Sequence, residues 1–99
     1  MLTTLLRLSG FDVAVARKAI DGLILARSFK PQVILLDLSI TAPDALVKAL
    51  KAEVSAEVVL VTGSVNAATV AAAMNVKHVL MKPFEPDDLV RVVIAAAAT

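Results

Sequence analysis

Apolar and polar positions along this chain follow two rhythms, one close to a helical turn and one suited to buried strands. Leu2, Leu5, Leu6 and Ser9 share a helical face that Gly10 closes. Phe11 to Val15 alternates, with Phe11, Val13 and Val15 on one side, which predicts a half-buried strand. Helical spacing returns between Arg17 and Phe29, with Ile20, Leu23 and Ile24 directed inward, and Pro31 ends the segment. Val33 to Asp37 is an unbroken apolar run closed by an acid, the pattern of a parallel strand covered on both faces. Pro43 then opens a helix to Ala52 that carries Leu46, Ala49 and Leu50 inward, with Thr41 and Asp44 spaced as a capping box. Glu57 to Thr62 is a second buried strand, and Ser64 is placed to cap a helix over Val65 to Met74. His78 to Met81 reads as a short strand before Lys82 and Pro83. After Glu85 a last helix begins, with Pro86 first and Asp87 and Asp88 at its positive end, burying Leu89, Val92, Val93 and Ala96.

Helices that alternate with short buried strands predict an α/β domain, a doubly wound parallel sheet, formed by residues 1–99 as one unit. A hydrophobic content of 59% excludes a disordered chain. It does not predict a membrane span, because the longest apolar run, Val92 to Ala98, is far below the ~20 residues a bilayer requires. Ten basic and nine acidic residues are dispersed, so neither direct nucleic-acid binding nor a polybasic membrane anchor is expected. With no cysteine, thiol catalysis, thiolate metal sites and disulfides are all excluded. The opening residues do not have the form of a secretory leader, and a cytoplasmic location is expected.

Ligands of open parallel sheets bind at the carboxyl ends of the strands. There the sequence sets Asp37, then Thr62 with Gly63 and Ser64, then Lys82 with Pro83. An acid, a hydroxyl and an amine in one place suit phosphoryl chemistry, the carboxylate as nucleophile and the other two as contacts to phosphoryl oxygens. The same residues also fit a structural ion pair between Asp37 and Lys82 beside a capping threonine. Gly10, Gly22 and Gly63 form no phosphate-cradling loop, so a flavodoxin-like or phosphatase-like enzyme is not expected.

Three motifs in one order carry a family resemblance. Val33-Ile34-Leu35-Leu36-Asp37-Leu38, Val58-Val59-Leu60-Val61-Thr62-Gly63 and Val79-Leu80-Met81-Lys82-Pro83-Phe84 resemble the third, fourth and fifth strands of the receiver domain of two-component response regulators, a flavodoxin-like fold. The resemblance implies a signal-transduction module of a phosphorelay, not an enzyme beyond self-phosphorylation. It implies Asp37 as phosphoacceptor, Thr62 and Lys82 as phosphoryl contacts, and a cis bond between Lys82 and Pro83. A histidine kinase or phosphotransfer protein is the implied donor, and output is expected through protein association. Val79 stands where such domains carry a switch aromatic. Asn75 and Ala45 stand where they often carry glycine, and Asn75 tolerates a left-handed turn.

Receiver domains begin with a central strand ending in two acids that help bind Mg2+. In this register the sequence starts in the helix that follows. Four strands are then expected with the central one missing, and Mg2+ is left an incomplete site of Asp37 and the Ser39 carbonyl. The gap would close either by pairing Phe11 to Val15 with Val33 to Asp37, or by strand exchange or sheet completion in a homodimer. The latter is expected, since a short sheet leaves much apolar surface bare. The helix from Val65 to Met74, apolar nearly all round, belongs to the face such domains use for association, with Val65, Val70, Met74 and Val79 as interface candidates. A phosphorylation-independent scaffold with Asp37 and Lys82 as a structural ion pair is the alternative function.

Overall fold

The computed structural model describes residues 2–39 and 43–98. In chain order the elements are α1 (Leu2–Leu8), α2 (Ala19–Phe29), β1 (Val33–Asp37), α3 (Pro43–Glu53), β2 (Glu57–Thr62), α4 (Ala67–Ala73), β3 (His78–Met81) and α5 (Pro86–Ala97). The strands form a parallel sheet in the order β1-β2-β3. Val33 lies opposite Glu57 and Asp37 opposite Val61, while Val59 lies opposite His78 and Thr62 opposite Met81. β2 is central, and every residue from Val58 to Thr62 is buried.

The continuous apolar run of β2 follows from its two covered faces. Val59 and Val61 point into a core with Leu6 of α1, Leu80 of β3, and Leu89, Val93 and Ala96 of α5. Val58 and Leu60 point the other way, into a core with Leu36, with Val47 of α3, and with Ala71 and Val76 at α4. Val59, Leu60 and Leu89 are the largest fully buried side chains, each contributing about 1.5–3 kcal/mol by leaving water.

Helix ends follow local chemistry. Gly10 has φ +94°, the Phe11 N–H donates to the Leu6 carbonyl and the Gly10 N–H to the Arg7 carbonyl, a Schellman ending. α4 ends the same way, with Asn75 at φ 56°, the Val76 N–H on the Ala71 carbonyl and the Asn75 N–H on the Ala72 carbonyl. At the start of α5, Asp88 accepts the Glu85 N–H at 3.1 Å.

Several expectations from the pattern are corrected. The sheet has three strands among the described residues, and Phe11 to Val15 is extended but unpaired. Its alternation is real at two positions, since Phe11 and Val13 pack on the core beside α1 and α5. What it lacks is a ladder: the Phe11 N–H is taken by α1, and the Val13 carbonyl accepts the Arg7 guanidinium at 3.1 Å. Direct pairing of this segment with β1 therefore does not occur. α2 begins at Ala19, not Arg17, and turns Ile20 and Ile24 outward, 62% and 53% exposed, while Ala26 is its buried residue. The small Ala26, not the large isoleucines, meets the interior because α2 lies against α3. Ser64 does not cap α4, whose N-cap is Asn66; the Ser64 hydroxyl instead donates to the Asn66 side-chain oxygen. The capping box of Thr41 and Asp44 lies outside the described residues.

Candidate functional site

Three parallel strands in register end on one edge of the sheet, and that register assembles the site. Asp37 closes β1, Thr62 closes β2, and Lys82 follows β3. The ladder continues past the strand ends: the Leu38 N–H donates to the Val61 carbonyl at 3.1 Å and the Lys82 N–H to the Thr62 carbonyl at 2.8 Å. The Lys82–Pro83 peptide bond is cis.

The Lys82 ammonium donates to Oδ2 of Asp37 at 2.7 Å. Oδ1 of Asp37 accepts the Ser39 N–H at 2.9 Å. The Lys82 hydrogen bond, followed by the Ser39 N–H, holds the Asp37 carboxyl below the usual carboxylate range, and its slight burial opposes them. Asp37 is therefore ionised at neutral pH, with its side chain 42% exposed. An ionised, reachable carboxylate beside an ammonium is an oxygen nucleophile with a cation at hand for an incoming anion.

Thr62 is buried, and its hydroxyl oxygen accepts the Ser64 N–H at 3.0 Å. The predicted trio thus divides: Asp37 and Lys82 touch directly, and Thr62 is joined to Lys82 through the backbone while its hydroxyl faces its own turn. Two groups escaped the sequence reading, the N–H groups of Ser39 and Ser64. Their signal is an acid or hydroxyl with a turn residue two places on, in Asp37-Leu38-Ser39 and Thr62-Gly63-Ser64, where the side chain accepts the later N–H.

Magnesium requires near-octahedral oxygen coordination. Among the described residues no group of three His, Cys, Asp or Glu side chains could hold a metal ion, and both oxygens of Asp37 are already engaged. The donor set present does not fit the ion, and the Ser39 group found at Asp37 is its N–H rather than its carbonyl.

Of the interface candidates, Val65 is fully exposed at the approach to α4, whereas Val70 is half-buried. Met74 and Val79 are half-buried and pack on the core beneath α3 and α4. No helix among the described residues is long and apolar enough to cross a membrane.

Comparison with known proteins agrees with this geometry. The sequence profile of the response regulator receiver domain matches residues 1–94. The chain is 31% identical over 94 residues to the DNA-binding response regulator MtrA of Mycolicibacterium paratuberculosis, an alignment covering 91% of this chain and 42% of that protein. The chain thus spans less than half the length of the curated relatives it matches. Among solved structures, the receiver domain of NtrX from Brucella abortus superposes with a TM-score of 0.87 at 24% identity, covering 99% of this chain and 88% of that one. A putative response regulator from Chloroflexus aurantiacus gives a TM-score of 0.85 at 23% identity, covering 99% and 86%.

Proposed function

We propose, for a chain that belongs to the response regulator receiver domain family, that Asp37 is its phosphoacceptor and that Lys82 and Thr62 hold the transferred group. The chain is a receiver domain of a two-component response regulator, a signal-transduction module. Receiver domains interact with histidine kinases or phosphotransfer proteins, and a phosphohistidine of such a protein is the proposed donor. The observation that carries the proposal is the 2.7 Å contact between the Lys82 ammonium and Asp37, set at the exposed carboxyl ends of the strands. In the reaction an oxygen of Asp37 forms the new bond to phosphorus as the phosphorus–nitrogen bond of the donor breaks. Lys82 then moves its contact from carboxylate to phosphoryl oxygen, and Thr62, whose hydroxyl oxygen accepts the Ser64 N–H, keeps its own O–H to donate to the transferred group. Asp37 and Lys82 carry opposite charges before transfer, so the phosphoryl group brings net negative charge that Lys82 alone only partly offsets.

Receiver domains typically bind Mg2+ at the phosphorylation site, but no step here is assigned to that ion, because the described donor set does not fit it. Output is proposed through association of two copies over the face of α4, β3 and α5, where Val65 is the accessible apolar anchor. Incubation with acetyl phosphate, with and without magnesium, should add one phosphoryl group by intact mass in the native chain and none in Asp37→Asn. An unchanged native mass under both conditions would instead favour the phosphorylation-independent scaffold, with the ion pair as architecture.

A further inference from the structure

The outer face of α2 is apolar where a surface helix is ordinarily polar. Ile20 and Ile24 stand one turn apart and are each more than half exposed, while Ala26 on the other side of the helix is buried. Apolar residues on every side of a helix are the pattern of one that is covered on every side. Among the described residues, nothing covers Ile20 and Ile24.

α3 supplies the second wall of a shallow groove. Each helix leads directly into one of two parallel neighbouring strands, so the two run side by side in one direction, joined near their ends by Arg27 on Glu53 at 2.6 Å. Ile24 and Ile20 lie one and two turns before Arg27, and Ala49 and Ala45 lie one and two turns before Glu53. Branched apolar side chains on one wall thus stand beside small ones on the other, which leaves room between them. The groove closes at the ion pair and opens at the far end, where Arg17 and Lys18 are exposed and have no ion-pair partner among the described residues. Two bases before the positive end of the α2 dipole oppose that helix, so they have no part in holding it.

We propose that the groove between α2 and α3 docks an acidic amphipathic helix of a partner protein, its apolar stripe on Ile20, Ile24 and the alanine wall and its carboxylates on Arg17 and Lys18. Both walls are helix side chains with no open row of backbone groups, which suits a helix and not a strand. Charge decides the occupant, because from Arg17 to Lys30 four bases stand against one acid, Asp21. A second copy in a two-fold pairing would bring that basic segment against itself, and two helical turns of groove fall far below the roughly 800 Å² per partner of a stable dimer. A planar anionic membrane would reach Ile20 and Ile24 but leave the alanine wall unused, and would also meet the exposed Asp44 of α3. The proposal is independent of whether Asp37 accepts phosphate.

The probe is a synthetic amphipathic helix with leucines at helical spacing and glutamates on both flanks, added to the whole chain and followed by residue-resolved amide NMR. Peaks of Ile20, Ile24, Ala45 and Ala49 should shift with peptide up to about 1 mM, and the affinity should fall as salt is raised. The same helix with lysine for every glutamate should bind at least about tenfold more weakly. Ile24→Ser, at an exposed position, should weaken the glutamate helix by about tenfold at an unchanged urea midpoint. Arg17→Glu, which precedes α2, should weaken it likewise and leaves every apolar contact in place. The proposal is overturned if the glutamate helix shifts none of those peaks, if the lysine helix binds as well, or if either variant binds unchanged. It is also overturned if the native chain alone has twice its monomer mass by light scattering and Ile24→Ser does not, meaning a second copy on this face. Phosphatidylserine vesicles that broaden those peaks where the glutamate helix leaves them unmoved would overturn it in favour of a membrane.

Discussion

Asp37 shows how much of one side chain's behaviour is set by two donors. Its lowered carboxyl pKa means that the folded state binds a proton less readily than the unfolded chain, so the Lys82 and Ser39 contacts stabilise the fold above the unfolded pKa of about 3.9. That contribution disappears as pH falls through the lower, folded value. Both partners are more than a third exposed, so solvent screens the pair and limits it to about 1 kcal/mol or less. Asp37→Asn should accordingly be slightly less stable than the native chain at neutral pH, and the gap in urea midpoint should close as pH falls through the lowered folded value of Asp37. Equal midpoints at neutral pH would show the pair to be without net effect on folding. The residue identities of the site were legible because each stands at the end of an apolar run, where a polar residue has few structural reasons to be. The Ser39 and Ser64 N–H groups were not, because backbone donors carry no residue signature.

At the scale of elements, β1, β2 and β3 were legible to the residue, since a strand buried on both faces leaves a sharp apolar boundary. Helices were legible in existence and less so in orientation. α2 carries enough apolar residues to permit more than one inward face, and its packing on α3 selected Ala26 over Ile20 and Ile24. α4 starts at Ala67 rather than Val65, because Ser64 is as good a cap in sequence as Asn66 and the turn after Thr62 decides between them. The ending of α4 yields a prediction. Asn75 holds a left-handed conformation at φ 56°, which glycine adopts without the Cβ cost. Asn75→Gly should raise the urea midpoint by the equivalent of about 0.5–1 kcal/mol, and Asn75→Ala should lower it. If glycine lowers the midpoint, a side-chain role of Asn75 outweighs its backbone strain.

For the whole molecule, sequence order implied a doubly wound sheet, and the strand order β1-β2-β3 with helices on both faces agrees. Phe11 to Val15 is where local pattern and global structure part. A period of two says only that a segment is extended with one face inward, and a strand also needs a neighbour with free backbone groups beside it. That neighbour is absent from both sides of the segment among the described residues. Strand count is therefore a property of the assembled sheet, which no local window contains.

The same segment sets how the molecule comes apart. α1 and α2 are joined across Phe11 to Lys18 by backbone with few hydrogen bonds, and α2 is tied to α3 by Arg27 on Glu53 at 2.6 Å and by limited burial at Ala26. Contacts of that kind define a region that opens well before the β2 core does. Under native conditions trypsin should cut first at the exposed Arg17 or Lys18, ahead of every basic site from Lys48 onward, and added salt should speed that cut by screening the Arg27–Glu53 pair. A first cut within α3 or α5, with mass spectrometry placing it, would show instead that the chain opens as one unit. The amino-terminal third is in this sense the hinge side of the molecule, and its nicking susceptibility is a direct gauge of how firmly α2 is held against α3.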